Sequence, residues 1–165
     1  LIEEAVKKCS CPFVTRKWIQ GLLTNFDTIK KRIKYFKDLK QQKETGEWEK
    51  YTKKERVEFA KQLKKLNEAF AGVETLSRLP DVVIVLDALR DQLALREAKR
   101  LGIKTVGICD SNSDPDLLTY PIPGNDDAVK SLKFFLEKVV DTINEGKHTQ
   151  PQVAAPAPVP AQKLA

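Results

Sequence analysis

Two aspartates follow predicted β-strands, at the position where α/β proteins usually bind ligands. Asp87 comes directly after the apolar run 82–86, and Asp110 comes after the run 105–109. Such a carboxylate can accept a phosphoryl group or bind a metal ion, because ligands in open α/β sheets lie beyond the carboxyl ends of the strands. We prefer the alternative that Asp87 caps the next helix or hydrogen-bonds a loop. No glycine-rich fingerprint, P-loop, nucleophile elbow or histidine base accompanies either aspartate.

The loop after the second strand imitates the start of a calcium-binding loop. It reads Asp110-x-Asn112-x-Asp114, but Pro115 stands where the sharp turn needs glycine, and Pro121 stands where a bidentate glutamate is needed. Asp, Asn and Ser around a proline more often form hydrogen-bonded turns. We therefore predict a turn here and no calcium site.

The three cysteines form neither an even disulfide set nor a paired CxxC array. Cys9 and Cys11 are separated by one residue, Cys109 lies far along the chain, and the only histidine is His148. A metal-ligand role for Cys9 and Cys11 stays open, but reduced thiols explain the count equally well. The sequence predicts no catalytic residue, no metal site and no cofactor.

Basic side chains near an aromatic ring are a stronger indication of function than the aspartates or the cysteines. Cations contact the phosphate oxygens of nucleic acids, and an indole can stack on a base. The predicted RNA-binding residues, in one loop and on the helix after it, are Arg16, Lys17, Trp18, Asn25, Lys30, Lys31, Arg32 and Lys34. Lys37 extends the same basic face. For any single helix lysine a solvated surface is an equally good explanation, and for Trp18 we prefer anchoring in the body over stacking.

Segment 26–72 carries the entire net charge of the chain. It holds 14 Lys+Arg and 8 Asp+Glu, while the remaining residues hold 15 of each. The formal net charge of +6 at pH 7 is thus confined to this segment. A neutral body with a basic projection favours docking on a polyanion over turnover of a substrate.

The same segment has the apolar spacing of a helical hairpin. Two seams repeat at intervals of three and four residues: Phe26, Ile29, Ile33 and Phe36, then Phe59, Leu63, Leu66 and Phe70. The polar stretch 41–52 turns the chain, and Thr24 or Asn25 can cap the first helix. We predict an inserted antiparallel coiled-coil hairpin over 26–72.

The rest of the chain reads as an α/β body. The continuous β-branched run 82–86 is typical of a strand buried on both faces of a parallel sheet. A helix over about 91–101 stops at Gly102 and leads to a strand at 105–109, which completes a right-handed βαβ unit. Residues 120–123 add an extended piece that their prolines confine to an edge. A final helix, capped at Asn125, has the apolar seam Val129, Leu132, Leu136, Val139 and Ile143.

We predict three parts: an α/β body over 1–25 and 73–145, the basic hairpin over 26–72, and a disordered Pro/Ala-rich tail over 146–165. The chain begins at Leu1 and contains no methionine. We therefore expect a fragment or processed chain, with a body that is incomplete at its N-terminus. No apolar run approaches the length of a membrane span.

Four blocks in unbroken order resemble the signatures of one family. Residues 18–26 (Trp-Ile-Gln-Gly-Leu-Leu-Thr-Asn-Phe) are similar to the W-[LI]-x-G-x-L-T-N signature of the small-subunit ribosomal protein family "S two" in its bacterial form. Residues 79–87, with Glu97-Ala98 and 101–103 after them, resemble the second signature, and 110–116 and 121–128 resemble a third block. The match covers about residues 1–144, and its Asn-Asp-Asp-Ala motif is typical of the bacterial or organellar branch.

The resemblance implies a flavodoxin-like, mostly parallel sheet with flanking helices and a protruding coiled-coil hairpin. It implies a structural, non-enzymatic role on the small ribosomal subunit, in the cytoplasm or on an organellar ribosome, with no membrane partner. The implied partners are small-subunit ribosomal RNA, neighbouring ribosomal proteins and, in many bacteria, the large RNA-binding protein "S one". We also expect the N-terminal part of the family, with its first strands, to be absent from this chain. We therefore expect an exposed sheet edge and poor solubility or partial unfolding.

Two other functions stay open at this level. A flavodoxin-like enzyme or phospho-receiver would use Asp87 and Asp110, and alanine at both would abolish its activity. A coiled-coil adaptor would bind a protein through the hairpin, and charge reversal at Lys30, Lys31 and Lys34 would then leave RNA binding unchanged.

Overall fold

A computed structural model describes residues 1–149 of the chain, and side-chain surroundings through residue 147. Within these residues helices flank one parallel three-stranded sheet, so the fold is α/β. The helices are α1 (Ile2–Cys9), α2 (Phe26–Glu44), α3 (Lys53–Phe70), α4 (Gln92–Arg100) and α5 (Val129–Thr149). The strands are β1 (Val82–Val85), β2 (Lys104–Cys109) and β3 (Tyr120–Pro123). Short 3-10 helices lie at Glu47–Lys50, Ala71–Val73 and Pro115–Leu117.

The sheet has the order β1-β2-β3, and each neighbouring pair is parallel. Val82 pairs with Lys104, and Val106 pairs with Tyr120. The predicted βαβ unit is confirmed as β1–α4–β2, and α4 gives way at Gly102, whose φ of +70° is the left-handed conformation that ends helices. The proline-containing strand β3 lies at an edge of the described sheet, as predicted, because proline has no N–H to donate to a strand on its other side.

Strand β1 differs from its prediction in burial. Val83 and Val85 are buried, but Val82 is 46% exposed and Ile84 is 40% exposed. The expectation of a strand buried on both faces is therefore wrong for the described residues. The physical reason is that the face of β1 that carries Val82 and Ile84 borders an open groove of about 740 Å³.

Helices α2 and α3 pack against each other and enclose a core of their own. Ile29, Ile33 and Phe36 of α2 are buried, and Leu63 and Leu66 of α3 pack against them. The main contacts of α2 and α3 are with each other and with the adjacent 3-10 helices, so their exposed cations lie away from the strands.

The sequence of 41–52 predicts a polar connection between the two helices, but the structure shows a buried aromatic side chain within it. Trp48 is buried, and its ring lies 5.7 Å from that of Phe59 between centroids. Thr52 and Glu55 form a reciprocal capping box that starts α3. The aromatic contact closes the far end of the helix pair, while the capping box fixes where α3 begins.

The last helix begins later than the cap prediction implied. The Asn125 side-chain oxygen accepts the N–H groups of Asp127 (2.9 Å) and Ala128 (2.8 Å), and α5 starts at Val129. Asn125 thus caps the turn before the helix. Val129 is 64% exposed and is not part of the buried seam, whereas Val140 is buried.

Helix α1 packs along α5, and the Lys147 ammonium donates to the Cys9 carbonyl oxygen. Helix α5 continues to Thr149, so residues 146–149 of the predicted tail are helical. The remainder of that tail, 150–165, lies outside the described residues. None of the helices described combines the length and apolar character of a membrane-spanning segment.

Gly107 at the centre of β2 generates a stability prediction. A Cβ there would lie 2.4 Å from Val85 Cγ2 and 2.9 Å from Leu118 Cδ2. We expect Gly107→Ala to lower the free energy of unfolding by about 1–3 kcal/mol, because an overpacked core must shift. Urea unfolding measures this. The control, Gly146→Ala in α5, meets nothing within 4 Å and should gain up to about 1 kcal/mol. Equal losses in both variants would contradict the steric explanation.

Candidate nucleic-acid interface

The predicted basic loop lies where the helix pair leaves the sheet. Arg16 and Lys17 are exposed, and Arg16 pairs with Glu68 of α3 at 3.5 Å. An exposed ion pair of this kind contributes little to stability, so Arg16 can exchange the Glu68 carboxylate for a phosphate group at little cost in free energy. In the described part of the chain Lys17 forms no ion pair. Both cations can therefore meet a polyanion at this point.

A buried carboxylate holds this loop in place. Glu97 of α4 is 6% exposed, and its oxygens accept five hydrogen bonds, all from the loop. Oε1 accepts from Trp18 Nε1 (3.3 Å) and Gly21 N (2.8 Å). Oε2 accepts from the N–H groups of Leu23 (3.0 Å) and Thr24 (3.2 Å) and from the Thr24 hydroxyl (3.3 Å). Gly21, with φ +82°, permits the turn that brings these donors together.

These hydrogen bonds also set the charge state of Glu97. Burial by itself raises the pKa of the carboxyl group. The backbone N–H groups of Gly21, Leu23 and Thr24, with the Trp18 indole, outweigh burial and hold the pKa below its usual range. Glu97 is therefore ionised at neutral pH and is stabilised by neutral donors. No lysine or arginine within the described residues pairs with it.

Trp18 joins the helix pair to the body. Its ring is partly buried and packs against both the sheet core and the helix-pair core, while its Nε1 donates to Glu97. A ring held in this way has little free surface for a base, so the structure favours the anchoring interpretation of Trp18. A direct contact with RNA stays a prediction.

The side chains predicted to cap α2 do not do so. Asn25 occupies the N-cap position, but its side chain makes no cap hydrogen bond, and the Thr24 hydroxyl is directed to Glu97. The Thr24 side chain is instead fixed by the hydrogen bond that it donates to a charged acceptor, which is the stronger kind of hydrogen bond. Asn25 is exposed beside the first turn of α2, and its contact with RNA also stays a prediction.

Helical geometry divides the predicted basic residues of α2 between two sides. At about 100° per residue, Lys30, Lys34 and Lys37 lie within about 60° of one another, whereas Lys31 lies about 100° and Arg32 about 160° from Lys30. All five are exposed. The single basic face expected from the sequence is therefore one line of three lysines, with Arg32 on the other side of the helix.

Two functional features were missed in the sequence. One is a lysine line on α3: Lys54, Lys61 and Lys65 are exposed and lie within about 40° of one another around the helix. The described residues contain no carboxylate that pairs with them. The i, i+7, i+11 spacing of these lysines in the sequence already predicts that they lie on one side of a helix.

The other missed feature is the structural role of Glu97. The signal was its position on the apolar stripe of α4, three residues after Ala94 and four before Leu101. A charged residue on a buried face requires partners. Nothing local identified the loop 18–24 as the source of those partners.

The aspartates at the carboxyl ends of the strands are used in turns. Asp87 Oδ1 accepts the N–H of Arg90 at 2.7 Å, so Asp87 hydrogen-bonds the loop before α4, which was one of the two predicted alternatives to a chemical role. Burial raises the pKa of Asp126, and the charges of Asp87, Asp110 and Asp127 raise it further. The carboxylates are thus close enough to repel one another. Among the described residues, however, no three potential ligands are arranged to hold a metal. The enzyme or phospho-receiver alternative finds no support here.

Comparisons with known proteins all indicate the same family. The model of the Ribosomal protein S2 family matches residues 1–146. The chain is 45% identical over 146 residues to the small ribosomal subunit protein uS2 of Dictyoglomus thermophilum. It is 40% identical over 157 residues to uS2 of Francisella philomiragia, and 45% over 147 residues to uS2c of Phaeodactylum tricornutum.

The matched region is most of this chain but only part of each relative. It covers 88%, 95% and 89% of the chain and 59%, 66% and 65% of the three relatives, in the same order. The relatives therefore contain residues with no counterpart in the matched region.

The lowered pKa of Glu97 predicts how stability depends on pH. A carboxyl group with a folded pKa below its unfolded value stabilises the fold above the unfolded pKa, and this stabilisation is lost as the pH falls through the folded pKa. We expect Glu97→Gln to lower the free energy of unfolding by about 3 kcal/mol at pH 7, and the difference to shrink below about pH 4.5. Denaturant unfolding at several pH values measures it. Glu58→Gln, on an exposed site, is the control and should change little. A difference that stays constant into acid would contradict the pKa assignment.

Proposed function

Because the chain belongs to the Ribosomal protein S2 family, we propose that it is a structural, non-enzymatic component of the small ribosomal subunit. In this role it binds ribosomal RNA and neighbouring ribosomal proteins. The large RNA-binding protein "S one" is a further partner, which the family resemblance alone supports. Association with the ribosome is the corresponding location.

One observation carries the RNA-binding part of this proposal. The segment 26–72 holds the whole net charge of +6, and it projects from a neutral body as the helix pair. Within the described residues the lysines of the α2 line, Lys30, Lys34 and Lys37, have no carboxylate partner. Unpaired cations on a rigid helix can neutralise phosphates without first breaking an ion pair.

We also propose that the complete protein has a flavodoxin-like sheet that continues past β1, with the helix pair as a coiled-coil insertion. The seam residues of α2 and α3 support the coiled coil, since they recur at three- and four-residue intervals and are packed together. The groove beside β1 supports the longer sheet. Its walls include the free side of β1 and the extended segment 11–14.

An additional strand would explain the dimensions and chemistry of this groove. The strand would pair with the free edge of β1, and its side chains on the same face would flank Val82 and Ile84, the apolar side chains that are exposed here. The relatives have residues outside the matched region that can supply it. A strand from that region is therefore the occupant we propose.

Charge reversal of α2 tests the RNA-binding function. We expect Lys30→Glu, Lys31→Glu and Lys34→Glu together to weaken binding to small-subunit ribosomal RNA by more than about tenfold near 0.1 M salt. If all three neutralise phosphates, the slope of log K against log salt should fall by about 2. Fluorescence anisotropy on labelled RNA over a salt series measures both, and co-sedimentation with small ribosomal subunits should weaken in parallel.

A charge-matched variant of the body is the control for this experiment. Lys7→Glu, Lys104→Glu and Lys130→Glu change the net charge equally but lie outside the helix pair. We expect a loss of less than about threefold and an unchanged slope. Unchanged RNA binding in the α2 variant would exclude the helix pair from the RNA interface and favour a protein-binding adaptor. An unaltered chain that binds neither RNA nor small subunits would overturn the proposed function.

The longer sheet predicts that one substitution has different effects in two proteins. Ile84→Lys should change the free energy of unfolding of the 165-residue chain by no more than about 0.5 kcal/mol, because the side chain is exposed. Lysine at the aligned position of the Dictyoglomus thermophilum relative should cost about 3 kcal/mol, because the charge would be buried. Lysine at Val57, exposed on α3, is the control and should have little effect in either protein. Similar small effects at both positions in the relative would exclude a covering strand.

A further inference from the structure

We propose that Glu97 is a positioning residue for RNA binding: it holds the loop 16–25 and the start of α2 in the geometry that presents their cations, without touching the RNA itself. This inference rests on the proposed RNA-binding function. It assigns part of the RNA affinity to an acidic residue. Charge repulsion between a carboxylate and RNA phosphates would by itself predict that such a residue weakens binding.

The first observation is where the hydrogen bonds of Glu97 come from. All five donors lie between Trp18 and Thr24, more than 70 residues away in sequence. Three of them are backbone N–H groups, so the carboxylate fixes the path of the main chain and not only a side chain. Hydrogen bonds to a charged acceptor are the stronger kind, and their directionality specifies one loop conformation.

The second observation is the position of this loop between two cores. Leu22 packs in the helix-pair core and Leu23 in the sheet core, and each is 2% exposed. Apolar contacts hold the two cores together but are not directional. Glu97 binds the backbone of Leu23 and its neighbours, so it sets the rotation of one core relative to the other.

The third observation is the continuity of the loop with α2. The N–H of Asn25 donates to the Gly21 carbonyl at 2.9 Å, and the N–H of Ile29 donates to the Asn25 carbonyl at 3.2 Å. A backbone fixed at Gly21 therefore fixes the first turn of α2. The line that begins at Lys30 follows directly from this turn, so its orientation on the body depends on Glu97.

The fourth observation concerns charge. Glu97 is satisfied by neutral donors, and Arg16 pairs with Glu68 on the surface. The buried carboxylate therefore does not consume a cation of the loop. A lysine or arginine in place of these donors would anchor the loop but would remove a positive charge from the interface.

The sign of the effect of Glu97→Gln tests this inference. The amide keeps one acceptor oxygen, but its NH2 group would face backbone N–H donors, so the loop would lose its anchor. We expect about a tenfold loss of affinity for small-subunit ribosomal RNA, measured by anisotropy at neutral pH. The control Glu58→Gln removes an exposed negative charge from α3, and its affinity should stay the same or rise. Equal affinities of Glu97→Gln and the unaltered chain would overturn the proposal.

The salt dependence separates positioning from a general loss of folded protein. A smaller folded fraction lowers the apparent affinity but leaves the slope of log K against log salt unchanged. Loss of the phosphate contacts of Arg16 and Lys17 reduces that slope by about 1–2. We expect the reduced slope in Glu97→Gln, with circular dichroism reporting the folded fraction. A weaker affinity with an unchanged slope would assign Glu97 a purely structural role.

Two further variants keep the test decisive if Glu97→Gln does not fold. Thr24→Val removes one hydroxyl donor while Glu97 remains, and should lower affinity about two- to threefold. In a chain that already carries Arg16→Ala and Lys17→Ala, Thr24→Val should have a smaller effect, because the contacts it positions are gone. Fully additive losses would contradict the positioning role. If the unaltered chain fails to bind RNA, the proposed function fails; if it binds and these variants bind equally, only this inference fails.

Discussion

The arrangement of the molecule depends on one buried carboxylate, Glu97. The sheet and the helix pair each have an apolar core, and apolar packing alone leaves the angle between two such cores poorly determined. Five hydrogen bonds from one loop to Glu97 supply the missing direction. Because these donors more than offset the cost of burial, the group stays ionised at neutral pH and remains a charged acceptor for all five donors.

The geometry of this joint matters because the two parts of the molecule have different electrostatic character. The helix pair is strongly basic, whereas Asp87, Asp110 and Asp126 lie together at the carboxyl end of the sheet. A polyanion is attracted to the first surface and repelled by the second. A molecule with such polarity associates in a defined orientation, provided that its parts do not rotate freely.

Much of the fold could be predicted from local sequence. The end of α4 at Gly102, the edge position of β3 and the buried seam of α2 follow from backbone conformation, the missing N–H of proline and helical spacing. The failures have a common cause. Val82, Ile84 and Val129 are apolar residues of the kind that is usually buried, but they are exposed here. The Thr24 hydroxyl donates to the distant carboxylate of Glu97 and does not cap α2. In each case the outcome depends on what lies opposite the residue, and neighbouring sequence does not contain that information.

The sequence by itself determined the chemistry of this protein: a basic segment of +6 on a neutral body, no constellation of catalytic residues, and strands and helices of recognisable period. Those properties are carried by residue types and spacings, which are local. Only the tertiary structure decided that Trp18 is packed between two cores and that Glu97 accepts the hydrogen bonds of the loop 18–24. These depend on contacts across more than 70 residues of sequence, because burial and hydrogen-bond partners are properties of the folded chain and not of any segment within it.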